Sequence, residues 1–238
     1  MSLIVVADAH IKPGSRQEQP FFRMLQRLGD SRHDVIFLGD IFELWIALPG
    51  YEQASQRAFL EWCRQQKASR TIGFIEGNHE FFVSAEHGDS FSWSTPHSSW
   101  RDTAGNLFVH GDQINRNDKR YLMFRRLTKN AVTRTLLRFL PGGPQICHRL
   151  GRMLQHTNRQ HRLGLPEEQI RFFADQHFAD GVKAIYAGHF HSTYQCKHTS
   201  ARTLYLLPAW FESGQVARID TNDLQKPVEF VNWEALPI

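Results

Sequence analysis

Five short apolar runs in this chain each stop at a polar motif of one kind. "LIVV" from Leu3 leads into "ADAH", "DVIFL" from Asp34 into "GDIFE", and "TIGFI" from Thr71 reaches "GNHE". "NLFV" from Asn106 leads into "HGD", and "KAIY" from Lys183 into "GHFH". Runs this short, rich in Val, Ile, Leu and Phe, read as buried strands. Each motif holds Asp, Asn or His, often beside a glycine that lets the backbone turn sharply. Parallel strands bring their carboxyl ends to one edge, where open α/β sheets place their sites. Asp, Asn and Gly are common in turns for local reasons. A turn has no need of histidine, however, and four of the five motifs carry one. The pattern predicts one cluster built from Asp8, His10, Asp40, Asn78, His110, His189 and His191. His189 and His191 are two apart, so in extended chain they face the same way.

Between the early runs lie helical patterns. "PFFRMLQRL" places Phe21, Met24, Leu25 and Leu28 at helical spacing, and "EQASQRAFLEWCRQQ" precedes the third strand. "PEEQIRFFADQHF" precedes the fifth, with Pro166 and two glutamates suited to a helix start. Alternating strands and helices argue α/β architecture. The tail "ARTLYLLPAWFESGQVARIDTNDLQKPVEFVNW" reads as a meander of strands, so a layered, mixed α/β sandwich is expected. A length of 238 residues fits one domain, residues 1–238, with an insertion. Cys63, Cys147 and Cys196 are far apart and odd in number, which suits a reducing compartment and no cysteine metal site. The start "MSLIVVADAH" lacks the basic leader of a secretory signal, and no segment approaches the roughly 20 apolar residues of a spanning helix.

The stretch of about 116–164 differs in character. From Lys119 to Pro166 there is no Asp or Glu, against eleven Lys and Arg. Threaded through it are Tyr121, Leu122, Phe124, Leu127, Val132, Leu136, Leu137, Phe139 and Leu140. "PGGP" at 141–144 divides it into an expected helix, a sharp turn and a second helix with Ile146, Leu150, Met153 and Leu154. A helical pair packed on the core with a solvated basic face explains the leucines. It does not explain the missing acids, since surface helices usually mix both signs. The stretch therefore reads as a helical cap directed at an anionic membrane surface or an anionic ligand. The net charge of +4 agrees with an anionic partner.

Two carboxylates, one amide and four imidazoles form a nitrogen and oxygen donor set without thiolate, which suits manganese, iron or zinc. Seven donors exceed what one ion takes while staying open to substrate. Two divalent ions roughly 3.5–4 Å apart and bridged by one carboxylate are the natural reading. Such a pair supplies hydroxide at neutral pH and neutralises phosphoryl oxygens. No protein nucleophile is needed, and the motifs contain no Ser, Cys or Lys. His79, beside Asn78, is placed to meet the phosphoryl group or to give a proton to the leaving group.

In their order and spacing, "DAH", "GDIFE", "GNHE", "HGD" and "GHFH" resemble the signature of calcineurin-like metallophosphoesterases. The resemblance implies a four-layer αββα sandwich of two mixed sheets. It implies one ion held by Asp8, His10, Asp40 and His191. The other is held by Asp40, Asn78, His110 and His189, with Asp40 as bridge and Asp40, Asn78 and His79 as catalytic residues. "GDIFELW", "LPAWFESG" and the basic insertion after "HGD" are similar to a narrower family, the bacterial UDP-2,3-diacylglucosamine pyrophosphatases of lipid A synthesis. In "DKRYLMFR", Asp118, Tyr121, Phe124 and Arg125 match an acid-aromatic-arginine pattern of that family. The likeness implies a lid over acyl chains, work at the cytoplasmic membrane face, manganese, and release of UMP and lipid X. Asp118, Tyr121, Arg125 and Arg159 are its candidate substrate contacts. Two positions depart: His79 stands where that family has arginine, and Glu80 where it has aspartate. A fixed bidentate fork is thereby exchanged for a single donor that can move a proton. A divergent phosphoesterase acting on another lipid-linked or nucleotide substrate is therefore an alternative. A nuclease is a second alternative. The leucines of the cap and its few stacking aromatics weigh against nucleic acid. A membrane-surface binding protein with a decayed site is a third, and the complete ligand set weighs against decay.

Overall fold

The computed structural model describes residues 2–147, 164–199, 202–220 and 228–236. The five apolar runs form β1 (Leu3–Val6), β2 (Asp34–Phe37), β4 (Ile72–Ile75), β8 (Leu107–Val109) and β9 (Ala184–Ala187). They divide between two sheets. In the first, β1, β2, β4 and β6 (Trp93–Thr95) run parallel. On its other side β1 meets β12 (Gln215–Ile219), which pairs with β13 (Val228–Asn232), both contacts antiparallel. In the second sheet β8 and β9 are parallel. They are flanked by antiparallel β7 (Ser99–Arg101) and by parallel β11 (Arg202–Leu206), outside which lies β10 (Tyr194–Thr199). A small parallel pair, β3 (Trp45–Ile46) with β5 (Glu80–Phe81), ties the second motif to the third.

The strands are buried on both faces, and their two-residue alternation sorts side chains into separate layers. Ile4, Val6, Val35, Phe37, Ile72 and Phe74 face α1 (Glu18–Asp30) and α2 (Ala54–Gln66), meeting Phe21, Met24, Leu25, Phe59 and Leu60. Val5, Ala7, Ile36, Leu38 and Ile75 face the second sheet and pack on Phe108, Tyr186 and Tyr205. Behind that sheet, Leu107, Val109, Ile185 and Leu204 meet Ile170, Ala174 and Phe178 of α6 (Glu167–Ala179). Helix, sheet, sheet and helix thus form the expected four layers. Trp93 and Trp100 stack across the two sheets with ring centroids 3.9 Å apart.

Two expectations change. The tail is not one meander. Its first strand, β11, joins the second sheet. The turn α7 (Trp210–Ser213) then carries the chain to β12 and β13 in the first. Trp210 drops into the helix-side core and Gly214, at φ +63°, ends the turn. The stretch before "PGGP" is two helices rather than one, α4 (Lys119–Thr128) and α5 (Ala131–Phe139). Asn130 breaks it: its side chain accepts the Thr133 N–H at 3.0 Å and caps α5. The expected second helix lies mostly within 148–163, outside the described residues.

Candidate metal centre

All seven residues expected from the strand ends come together. Asp8, His10, Asp40, His189 and His191 hold positive φ angles between 44° and 70°. Side-chain-bearing residues seldom adopt this region, and such strain clusters at functional sites. Here the five positions follow the ends of β1, β2 and β9. The crowding leaves no room for Cβ atoms nearby. A Cβ on Gly77 would stand 2.3 Å from Asp40 Oδ1, and one on Gly39 would stand 2.7 Å from His110 Nδ1.

Asp40 lies at the middle. Its Oδ2 is 3.5 Å from His110 Nε2, and 3.8 Å from both His10 Nε2 and His79 Nε2. His191 Nε2 is 3.3 Å from His10 Nε2 and 3.6 Å from Asp8 Oδ1. Asn78 Oδ1 is 2.9 Å from His110 Nε2. Backbone carbonyls fix two of the rings. His110 Nδ1 donates to Leu38 O at 2.9 Å and His79 Nδ1 to Glu43 O at 2.5 Å, so each presents Nε2 to the centre. Main-chain donors hold the carboxylates: His79 N–H to Asp40 Oδ1 and His189 N–H to Asp8 Oδ2, both at 2.8 Å.

The donor set fits two cations. Asp8 Oδ1 is buried with no hydrogen-bond partner, a cost that a cation would remove. Asp8, His10 and His191 offer ligand atoms within 4.8 Å of one another, as do Asp40, His110 and His189. Burial raises the pKa of both aspartates. His191 and His110 around Asp8, and His110 and His79 around Asp40, outweigh it, so both carboxylates stay ionised. Burial draws His10 down to about 3 and, helped by His110, His189 down to about 4, leaving neutral imidazoles with lone pairs. His110 goes the other way, to about 10, because Asp40 outweighs burial. The pKa of His79 is also raised, with Asp40 and the Glu43 carbonyl outweighing burial.

A cavity of about 500 Å³ opens over this cluster. His10, Asp40, Asn78, His79, His189 and His191 form its floor, and Lys12, Glu43, Phe211 and Glu212 part of its wall. Phe211 sets its ring edge-on to His10 and His191, with centroids 5.3 and 5.1 Å away. Among the expected substrate contacts, Asp118 and Tyr121 line the cavity. Asp118 caps α4 by accepting the Tyr121 N–H at 2.9 Å. Arg125 is not among the lining residues. Its guanidinium is 3.3 Å from Asp112 Oδ2 and 2.7 Å from Ser98 Oγ. Arg159 lies outside the described residues.

The sequence left three carboxylates of these motifs without a role, Glu80 being noted only as a departure from the narrower family. Glu80 of "GNHE" is buried and accepts N–H groups from Asp40, Ile41 and Gly77 at 2.8, 2.7 and 2.9 Å. It joins the second motif to the third. Asp112 of "HGD" is buried and receives the Tyr121 hydroxyl as well as Arg125. Glu43 of "GDIFE" sits 3.8 Å from His10 Nδ1 and 3.5 Å from Lys12 Nζ. Their position inside metal-type motifs was the available signal.

The cap is turned inside out relative to an ordinary surface helix. Arg125 meets Asp112, and Lys129 reaches the carbonyls of Gly77 and Glu80. On α5, Arg134 Nε and Arg138 Nη2 close on Glu86 Oε1 at 2.7 and 2.5 Å. Tyr51 donates its hydroxyl to Leu137 O at 2.7 Å, and Leu137 and Cys147 pack on Ile46, Leu48, Tyr51 and Phe82. Met123, Phe124, Leu127, Val132, Leu136 and Phe139 are left facing out, Phe139 at 76% exposure. Among the described residues no helix is long and apolar enough to cross a membrane.

A profile of the calcineurin-like phosphoesterases matches residues 1–193, ending just past His191. A UDP-2,3-diacylglucosamine hydrolase of Pseudomonas aeruginosa is 28% identical over 93% of this chain and 96% of its own. The enzyme of that name from Pseudomonas fluorescens is 28% identical over 99% of both. A dimetal phosphatase from Danio rerio superposes with a TM-score of 0.47 at 14% identity, over 91% of this chain and 92% of that one. The family is dimetal-dependent, and the described residues of this chain hold donor groups that could bind metal ions. The chain belongs to the calcineurin-like phosphoesterases and is a metal-dependent hydrolase of phosphoric esters or anhydrides.

Proposed function

We propose that the substrate is UDP-2,3-diacylglucosamine, cleaved at its pyrophosphate to UMP and the diacylated sugar 1-phosphate. The observation that carries this reading is the way the cap joins two environments. The start of α4, with Asp118 and Tyr121, borders the cavity over the donor cluster. Farther along, the cap presents an exposed apolar patch of Met123, Phe124, Leu127, Val132, Leu136 and Phe139, while Leu137 anchors α5 on the buried Ile46, Leu48, Tyr51 and Phe82. A polar diphosphate and its acyl chains need such neighbouring surfaces. The full-length likeness to hydrolases named for this substrate supports the same choice.

Asp8, His10, Asp40 and His191 would hold one manganese ion, and Asp40, Asn78, His110 and His189 the other. When bound, the ions supply hydroxide at neutral pH and neutralise phosphoryl oxygens. The chain supplies the rest. Asp40 stands between both donor groups and sets their spacing. The Glu43 carbonyl fixes the His79 ring so that Nε2 faces the cluster, where it can give a proton to the departing oxygen. Phe211 crowds His10 and His191 from the side and limits their rotation. The outward stripe of α4 and α5, with the exposed Lys119, Arg120 and Arg126 beside it, suits an anionic bilayer at the cytoplasmic face.

The test is a parallel assay with manganese on the diacylated UDP-sugar, its unacylated form, bis-p-nitrophenyl phosphate and single-stranded DNA. The expected result is a kcat/KM for the acylated substrate at least a hundredfold above the rest, since each buried methylene contributes about 0.8 kcal/mol. Equal rates with and without acyl chains, or faster cleavage of DNA, would overturn the substrate assignment.

A further inference from the structure

Helix α4 touches the donor cluster at both ends without lending it a ligand. Tyr121 in its first turn and Arg125, one turn further on, both meet Asp112, two residues beyond His110. At its C-cap, Lys129 turns inward over the Phe81 ring, 5.1 Å from the centroid. Its ammonium donates to Gly77 O and, at 2.5 Å, to Glu80 O. Those two carbonyls bracket Asn78 and His79. The Glu80 carboxylate in turn binds the N–H groups of Gly77, Asp40 and Ile41. The turn carrying Asn78 and His79 is therefore held by both a core carboxylate and a cap ammonium. An ammonium has three donors and tolerates little change of place once two are committed. Asn78 Oδ1 and the His79 ring are each aimed by that turn, at His110 and Asp40 respectively.

We infer that Lys129 is a positioning residue, which fixes the Asn78–His79 turn against Asp40 and makes the cap a working part of the hydrolytic centre. The inference rests on the hydrolase reading of the site and is independent of the lipid substrate. It carries a consequence for small substrates: even an ester that never reaches the apolar patch should depend on Lys129.

The experiment uses the full chain loaded with manganese and bis-p-nitrophenyl phosphate, which is too small to reach the apolar patch. Lys129→Met keeps the length of the side chain and removes the donors. It should lower kcat about 10–100-fold, the range for outer partners of metal ligands, with KM within about twofold. Titration calorimetry should find manganese weakened by a similar factor at one of two sites, the one with Asn78. Lys129→Arg restores donors and should recover part of kcat. Arg23→Met, exposed on α1 and away from both the donor cluster and the cap, should match the wild type in both readouts. Thermal melting separates the alternatives. A folded Lys129→Met with wild-type kcat and manganese affinity overturns the inference. So does a loss that follows the unfolded fraction while folded Lys129→Arg behaves as wild type. A wild type that cleaves the reporter but not the diacylated UDP-sugar would sink the substrate proposal and leave Lys129 in place. A wild type inert toward every phosphoester would sink both.

Discussion

At the strand ends, polar side chains point into the molecule and gather around Asp40, with apolar strands behind them. In α4 and α5 the order is reversed: Arg125, Lys129, Arg134 and Arg138 point inward, and Met123, Leu127, Val132, Leu136 and Phe139 point out. Both regions bury charge, and the difference lies in what compensates it. Taking a charge from water costs several kcal/mol unless a partner is held close. The cap cations find theirs in acids and carbonyls of the core, chiefly Asp112, Glu86 and the Gly77–Glu80 turn. At the strand ends buried Asp8 Oδ1 makes no hydrogen bond, its neighbour His191 Nε2 standing 3.6 Å away. The cap pairs its charges with protein partners, although Asp112 Oδ1 and Arg125 Nη1 still lack a hydrogen bond, whereas the strand ends gather donor atoms that cations would satisfy. Among the described residues the cap lacks something else, a cover for its apolar stripe.

The comparison breaks first at Asp40. If the strand ends are built for two ions and Asp40 joins them, Asp40→Ala should lose both manganese ions and drop phosphoester cleavage to background. Chelation of the wild type should do the same, reversibly. Plasma emission metal analysis beside the reporter assay would check both. One ion in the wild type would remove the dimetal assignment. Two ions in Asp40→Ala would remove the bridge alone.

His79 gives the next largest effect. His79→Ala should retain both ions and slow turnover by about 10²–10⁴, the usual worth of a positioned acid. Normal turnover with normal metal content would exclude His79 from the chemistry. His79→Arg is informative beside it. On the diacylated UDP-sugar it should exceed His79→Ala, because a guanidinium also meets a phosphate.

These two regions were not equally legible in the sequence. A strand end carries its own direction: a short apolar run has a fixed alternation, and the motif after it can only sit at the sheet edge. Asp8, His10, Asp40, Asn78, His110, His189 and His191 could therefore be placed together from spacing and type. Their division over two sheets could not, because pairing partners such as β9 with β11 are set by tertiary packing. The tail was misjudged for the same reason. "LYLLPAW" looks like the first strand of a meander until Trp210 is seen to cross into the other core layer. The cap was legible only in part. Eleven basic residues without an acid between Lys119 and Pro166 suggested a cap directed at an anionic surface or ligand. The acids that answer Arg125, Arg134 and Arg138, namely Asp112 and Glu86, lie outside that stretch, so no reading confined to it could reveal the inward turn of those three. Helical spacing places Arg134, Leu137 and Arg138 together but not on the inside.

Glu86 tests that inward turn directly. It receives Arg134 and Arg138 while largely shielded from water, at 15% side-chain exposure. The arginines are about a third exposed, so solvent screening reduces the pair to about 1 kcal/mol rather than the value of a buried bridge. Glu86→Gln should therefore speed amide exchange in α5 by roughly fivefold. It should leave exchange in β1, β2 and β4 unchanged, and also reporter turnover, since Glu86 touches none of the donor cluster. Exchange mass spectrometry resolves the two regions. Uniform acceleration would mean that the cap and core open as one unit.

The smallest expected effect on stability comes from the stripe itself, and there the comparison is sharpest. Phe74 and Phe139 are the same residue type in opposite settings, the first fully buried and the second 76% exposed. Phe74→Ala should cost about 3–5 kcal/mol through lost packing and the cavity left behind. Leu136→Ser and Phe139→Ser remove apolar surface already in water and should change the unfolding free energy by no more than about 0.5 kcal/mol. Their effect should appear against vesicles instead. Seating a phenylalanine in the interfacial region recovers up to about 1.5–3 kcal/mol, so Phe139→Ser should weaken binding to anionic vesicles by about tenfold. Added salt should weaken it further through Lys119, Arg120 and Arg126. Sedimentation with phosphatidylglycerol-containing and neutral vesicles, alongside urea unfolding, measures both quantities in one preparation. Unchanged vesicle binding with unchanged stability would mean that something other than a bilayer covers this face. A large loss of stability would mean that Phe139 packs inward in solution.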